Sequence, residues 1–262
     1  MLTPAGLQVI ELQGKIASIE ANRTWDSLFD GNLQCCQYEK GYRFSLDAVL
    51  LSHFVKPLPG QQVLDMGAGC GIISLILCYR FPDIRVTALE LQPQLISLIR
   101  HNITQNNFDT RIQILRGNLR RIKKLTAAER YDQVVCNPPY GSRGSGRQNI
   151  NDEMAVARHE IVCNLEDIVQ AISYSLRNRG RASIIYPADR AARLINTLQE
   201  NKLEPKKVQT VYSYPGCNGK LILVESVKNG GEELTILPPF YVYTKRNGGY
   251  SPEMAKLYEK NM

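Results

Sequence analysis

No stretch of this chain approaches the roughly 20 consecutive apolar residues that a membrane-spanning helix requires. Also missing is the basic start and apolar block of a secretory leader, because residues 1–20 interleave Gln, Glu and Lys with apolar side chains. The expectation is a cytosolic protein. The seven cysteines (Cys35, Cys36, Cys70, Cys78, Cys136, Cys163 and Cys217) contain no C-x-x-C pair and are odd in number, which speaks against a zinc site or a disulfide framework. Several sit within apolar segments and read as buried free thiols. There is no internal repeat and no G-x-G-x-x-G dinucleotide fingerprint. What is present is ordinary for a globular chain. Of 262 residues, 44% are apolar and 22% charged, enough to bury a full core without disulfide or metal. A formal net charge of +7 favours a polyanionic partner.

Along the chain, apolar runs at 25–29 and 33–38 flank Asp30-Gly31, a hairpin turn signal. Ser45 then stands as a cap before a helical pattern over 46–55, closed by Pro57 and Pro59. Beyond residue 60, strand-like runs at 62–66, 85–89, 112–115, 133–136, 182–186, 208–212 and 221–227 alternate with helical stretches at about 71–80, 93–107, 119–128, 165–178 and 189–201. Such alternation gives a mostly parallel α/β sheet covered on both faces. No helix separates the last two strands; Pro215-Gly216-Cys217-Asn218-Gly219 joins them, so they should pair antiparallel. Two parts are expected: a hairpin-and-helix extension over 1–59 covering a cofactor site, and a Rossmann-like domain over 60–262. The polar, Gly-, Ser- and Arg-rich segment 141–151 reads as a loop, and the basic tail has a short helix after Ser251-Pro252-Glu253.

Val63-Leu64-Asp65-Met66-Gly67-Ala68-Gly69-Cys70-Gly71 reads as a strand, a glycine turn and a helix start. Gly67, Gly69 and Gly71 allow a tight turn and close approach to a ligand. Asp65 precedes that turn, and a carboxylate there would repel a pyrophosphate. S-adenosylmethionine carries a sulfonium and an ammonium instead, so acidic residues favour it over a nicotinamide dinucleotide. Glu90, at the end of the next strand about 20 residues on, can accept both ribose hydroxyls of a bound nucleoside; Leu91 follows it. At the third strand end, Asn118 and Leu119 are candidates to contact the adenine. Asn118 can accept or donate, and it reads equally as a helix N-cap.

The most specific string is Asn137-Pro138-Pro139-Tyr140, at the exit of the apolar run 133–136. An amino group on adenine or an amide is a poor nucleophile because its lone pair is delocalised. The side-chain carbonyl of Asn137 and the backbone carbonyl of Pro138 can accept its hydrogens and direct the lone pair at a methyl carbon. Pro139 stiffens the exit. Tyr140 offers a flat face for a planar substrate, where stacking is worth ~1–3 kcal/mol for a nucleobase.

Together with Gly41-Tyr42-Arg43-Phe44-Ser45-Leu46-Asp47-Ala48-Val49-Leu50-Leu51 and Ala157-Arg158-His159-Glu160, these strings resemble the bacterial tRNA(Val) adenine-37 N6 methyltransferases over nearly the whole chain. The resemblance implies a class I Rossmann-like fold with a seven-stranded sheet whose last strand is antiparallel. It implies that the segment from Tyr42 to Asp47, Phe44 included, folds over the cofactor, and that N6 of an adenosine beside the anticodon is methylated. Asn118 stands where an Asp is usual. Asn-Pro-Pro-Tyr is shared with DNA adenine, ribosomal RNA guanine and release-factor glutamine methyltransferases, so a protein amide substrate remains open, as does a non-catalytic RNA-binding relative.

A base inside a stacked loop must turn outward to reach Asn137, and nearby phosphates need cations. Candidates are Arg143, Arg147, Arg158, Lys40 and Lys245, with Arg43, Arg246 and the cluster Arg120, Arg121, Lys123 and Lys124 behind them. Arg158-His159-Glu160 could grip a phosphate, order 141–151 or form a local surface ion pair. His159 could also take the leaving proton.

Overall fold

In a computed structural model of the protein, residues 23–39, 43–138 and 163–259 are described. The first elements form an antiparallel hairpin, β1 (Arg23–Leu28) and β2 (Leu33–Tyr38). Its turn is the one signalled by Asp30-Gly31: Phe29, Asp30 and Gly31 all have positive φ, and Asn32 N–H returns to Phe29 O. Phe29 is fully buried there and stacks on Tyr79, which pins the turn to the domain. Helix α1 (Leu46–Phe54) follows, with Ser45 as its extended N-cap.

The sheet then builds from β3 (Gln62–Met66), α2 (Ile72–Arg80), β4 (Arg85–Glu90), α3 (Pro93–Gln105), β5 (Ile112–Arg116), β6 (Tyr131–Cys136), α4 (Leu165–Ser175), β7 (Leu176–Pro187), α5 (Ala191–Glu200), β8 (Leu203–Tyr212) and β9 (Gly219–Lys228). Its order is β5-β4-β3-β6-β7-β9-β8. Only β9 of these seven runs antiparallel, inserted between β7 and β8. Two further two-residue strands, β10 (Thr235–Ile236) and β11 (Phe240–Tyr241), extend the outer edge alongside β8. Pro238 and Pro239 stand between them and cannot donate to a ladder, which keeps both short. A short helix, α6 (Pro252–Lys256), closes the described chain, with the Ser251 hydroxyl accepting from Met254 N–H.

Side chains alternate across the sheet into two cores. Val63 faces the α1, α2, α3 and hairpin side, whereas Leu64 and Met66 face α4 and α5. Leu28, Leu33, Val49 and Val63 share one apolar cluster, so the hairpin and α1 have no core separate from that of the sheet.

Two expected helices differ. Over 119–128 the chain forms 3-10 turns at Leu119–Lys124, kinked at Arg121. Leu119, Ile122 and Leu125 recur every third residue, which is the 3-10 period, and all three pack on the α4 side. The helix expected to run to 178 stops at Ser175. Leu176 is already extended, fully buried and paired with Tyr131, and Arg177 reaches Asp132 at 2.6 Å. Arg179 then takes a positive φ that no helix continues.

An unanticipated device fixes the hairpin. The amide of Asn106 accepts from Gln34 N–H and donates to Gln34 O, and that of Asn102 does the same with Cys36. Four residues of helix rise about 6 Å and two residues of strand about 6.7 Å, so two asparagines one turn apart imitate a neighbouring strand. The free edge of β2 is thereby paired. Asn102 Nδ2 also lies 2.9 Å from Cys70 O, linking the hairpin to the glycine turn.

Candidate active site

The carboxyl ends of β3, β4, β5 and β6 converge on one crevice, the usual ligand position in an open parallel sheet. After β3 the chain turns on Gly67, Gly69 and Gly71. Gly71 has φ +88° and its missing Cβ would lie 3.3 Å from Ile99, so both conformation and space call for glycine. The N–H groups of Gly67 and Ala68 donate to Leu89 O, lashing the turn to β4.

Glu90 organises this region. Its Oε2 accepts from Gly69 N–H at 2.9 Å, and its Oε1 accepts from Leu91 and Gln92 N–H, each at 2.8 Å. One carboxylate therefore holds both the glycine turn and the entry to α3. Oε2 has one protein partner, which leaves acceptor capacity for a ligand hydroxyl.

Asp65 lies beneath the glycine turn. Strand alternation turns it under α2, where it is fully buried and accepts from the Ser74 hydroxyl at 2.7 Å and the Ser74 N–H at 3.1 Å. Burial pushes its carboxyl up to about 7, the Ser74 bonds oppose that rise and the Glu90 charge adds to it. The folded state thus favours the protonated acid relative to the unfolded chain. That contribution is fully present below the ordinary carboxyl range and is lost as pH rises through about 7. The stability of the wild type minus that of Asp65→Asn should therefore fall by a few kcal/mol, about 4 at most, between about pH 4 and 7.5 and stay level above that. Urea unfolding at several pH values measures this. A difference that stays flat or grows with pH would refute it.

A cavity of about 540 Å³ occupies the crevice. Gly67, Gly69, Glu90, Leu91, Asn118, Leu119, Asn137 and Pro138 line it, as does Asp47 from the first turn of α1. The sequence-derived cofactor and reaction residues thus meet in a single space. Asp65, Gly71 and Phe44 are not among its walls: Asp65 and Gly71 shape the turn from behind, and Phe44 packs on the core with its N–H donating to Gln37 Oε1. Asn118 Oδ1 accepts from Arg120 N–H, so it caps the 3-10 turn while the residue also lines the cavity.

Sequence reasoning missed Ser45, Met66, Leu89, Gln92, Leu95, Gly117, Cys136, Cys163 and Ile168 as walls. Met66 and Gln92 adjoin motif residues and were within reach. Cys163 and Ile168 come from the start of α4, and nothing in their local sequence marks them. Burial raises the thiols of Cys136 and Cys163 above their ordinary range, which keeps both neutral.

No Lys, Arg or His lines the cavity among the described residues, whereas Asp47 and Glu90 do. A pyrophosphate would find no cation there among the described residues. A cationic nucleoside ligand fits: apolar side chains for a base, a nearly buried carboxylate for a ribose, and net negative charge for a positive centre.

Lys40, Tyr42, Pro139, Tyr140, Arg143, Arg147 and Arg158, with His159 and Glu160, lie outside the described residues. Of the other cations, Arg43 is held by Asp26 at 2.9 Å, Arg120 pairs with Asp167 at 3.1 Å and Lys123 lies over the Tyr174 ring. Lys245 is exposed in a turn beyond β8.

The strand order, the glycine turn and this cavity define a Rossmann-like class I methyltransferase. A crystal structure titled a predicted O-methyltransferase from Agrobacterium tumefaciens has the same fold, with a TM-score of 0.66 at 21% identity over 81% of this chain and 95% of that one. The methyltransferase small domain family matches residues 46–162. A tRNA1(Val) (adenine(37)-N6)-methyltransferase of Shewanella sp. is 30% identical over 223 residues, covering 83% of this chain and 90% of the relative. One from Porphyromonas gingivalis is also 30% identical, covering 83% and 87%. The chain belongs to the tRNA1(Val) (adenine(37)-N6)-methyltransferase family.

Proposed function

We propose that this protein methylates the exocyclic N6 of an adenosine in tRNA, at position 37 of tRNA(Val), with S-adenosylmethionine as donor. The observation that carries the reading is that Asn137 and Pro138 line the same cavity as Gly67, Gly69 and Glu90. S-adenosylmethionine supplies an electrophilic methyl group on a sulfonium. Glu90 accepts from its ribose through Oε2, Asp47 and Glu90 provide the negative surroundings, and Leu91, Asn118 and Leu119 take the adenine. Asn118 donates where an Asp would accept. Asp65 acts indirectly by bracing the turn against Ser74. The hairpin-and-helix extension over 1–59 covers the site, tied to it through Asn102, with Tyr42 and Phe44 in the covering segment.

On the substrate side, the Asn137 side-chain carbonyl and the Pro138 backbone carbonyl accept the two amino hydrogens. This localises the nitrogen lone pair and aims it at the methyl carbon. Pro139 fixes the loop, and Tyr140 stacks on the adenine turned out of the anticodon loop. Once the nitrogen is alkylated its proton is acidic, so no strong base is needed. Arg143, Arg147, Arg158 and Lys40 hold the phosphates around that base. The enzyme acts in the cytoplasm, where its tRNA substrate resides.

Tritiated-methyl transfer to bulk tRNA, with a release factor assayed in parallel, tests the substrate class. Label in tRNA alone is the expected result; label in the release factor alone would overturn the reading in favour of amide methylation. Affinity for tRNA should also fall steeply with salt, by ~10-fold or more between about 50 and 200 mM, because several phosphates exchange counterions for side chains. Filter binding across that range checks it, and a flat response would speak against an RNA substrate.

A further inference from the structure

The outer edge of the sheet carries a group of side chains that methyl transfer itself does not use. β11 runs parallel to the end of β8, and Tyr243 N–H continues to Ser213 O. The chain then reverses: Thr244 N–H donates to Gly249 O, and Gly248 N–H to Lys245 O. This turn projects past the carboxyl end of β8, on the same edge of the sheet as Asn137 after β6. β11 lies outside β8, and β9 and β7 separate β8 from β6, so the turn lies about four strand spacings, roughly 19 Å, from the reacting strand.

Three tyrosines stack behind the turn. The Tyr243 and Tyr250 rings have centroids 5.5 Å apart at 23°, and Tyr250 and Tyr258 are 5.9 Å apart at 5°. Tyr243 is 37% exposed and Tyr250 48%, unusual for large aromatic side chains with no other role. Tyr258 is half-buried against the core, which anchors the ladder. Lys245 and Arg246 are exposed at the tip and pair with no acid among the described residues, and Lys220 is exposed at the neighbouring start of β9. The nearby acids do not cancel this charge. Asp189 just after β7 and Glu253 and Glu259 in and just after α6 are single exposed carboxylates, set against exposed Lys245, Arg246, Lys220 and Lys256.

We infer that the Tyr243–Tyr250 ladder and the Lys245-Arg246 turn form a second RNA contact, which stacks an unpaired base and holds its phosphates a few nucleotides from the adenosine at Asn137. A rigid aromatic face beside unpaired cations is the chemistry by which single-stranded RNA is gripped without base-specific hydrogen bonds. The ladder is ordered before RNA arrives, so little side-chain freedom is lost on binding. The inference rests on the proposed tRNA substrate, and it assigns the tail of this chain a part in choosing a loop over a duplex.

The test compares wild type with Tyr243→Ala, Tyr243→Phe and the double variant Lys245→Ala/Arg246→Ala. Binding of full-length tRNA by fluorescence anisotropy, and kcat and KM for tRNA and for S-adenosylmethionine, are the readouts. Tyr243→Ala should weaken tRNA about tenfold, the order of one lost stacked base, while Tyr243→Phe stays near wild type. The double variant should lower the slope of log affinity against log salt by about 1.5 to 2, one phosphate per cation. For all variants, kcat and the KM for S-adenosylmethionine should remain unchanged, and Arg85→Ala on the amino edge should have no effect. Unaltered tRNA affinity and salt slope, with an active wild type, would overturn this inference and leave the proposed function standing. A wild type that neither binds nor methylates tRNA would overturn both.

Discussion

Asn137→Ala should lower kcat for methyl transfer at least ~100-fold, the order expected when one preorganised hydrogen-bonding group is removed from the reacting centre, and leave affinity for S-adenosylmethionine within a few-fold. The separation follows from where the residue sits. Asn137 leaves the end of β6 and lines the cavity on the reaction side, while the turn and Glu90 are built by β3 and β4 and held by backbone bonds that do not involve it. Titration calorimetry on the variant, next to a single-turnover assay, measures both quantities. Loss of cofactor binding in parallel with activity would mean that Asn137 supports the cavity rather than the amino group.

Glu90→Ala should do the reverse. The N–H groups of Gly69, Leu91 and Gln92 lose their shared acceptor in a site only 6% exposed. Affinity for S-adenosylmethionine should fall about 100-fold or more, since a charge-assisted bond in such a place is worth about 1.5–3 kcal/mol and several act together. The fold should also lose stability, by about 2–4 kcal/mol, because the glycine turn and the start of α3 part company. Glu90→Gln, which keeps one carbonyl acceptor, should lie between wild type and the alanine variant on both scales. Binding of Glu90→Ala within threefold of wild type would refute the role given to this carboxylate.

What the sequence revealed about the fold, and what it hid, follows from the range of the interactions involved. The strand, glycine turn and helix of 63–80 were legible because each feature is local: an apolar run, positive-φ glycines and a helical repeat in register. Glu90 was legible for a similar reason, as a carboxylate at the next strand end. Asp65 was harder. Its position along β3 is clear from the pattern, but which layer it faces depends on α2 packing there, where Ser74 takes Oδ2 and Oδ1 is buried without a hydrogen-bond partner among the described residues. At Asn118 both readings, cap and cavity wall, hold at once because its oxygen caps while its side chain still borders the cavity.

Residues that act across long sequence separations left no local trace. Asn102 and Asn106 look like polar positions on an amphipathic helix, yet they complete the edge of a strand 66 and 72 residues away. Cys163 and Ile168 close the cavity only because α4 packs back against β6. The three tyrosines of the tail become a ladder only when Tyr243 and Tyr250 are brought opposite each other. In each case the chemistry of the residue is visible in the chain and its partner is not.

The central claim is the identity of the methylated atom. Wild-type protein, S-adenosylmethionine and unmethylated tRNA(Val) should yield, after nuclease digestion and nucleoside mass spectrometry, one N6-methyladenosine per tRNA, located by fragment mapping at position 37 and absent when Asn137→Ala replaces the wild type. A methylated guanosine, a ring-nitrogen methyladenosine or label at another adenosine would contradict the account.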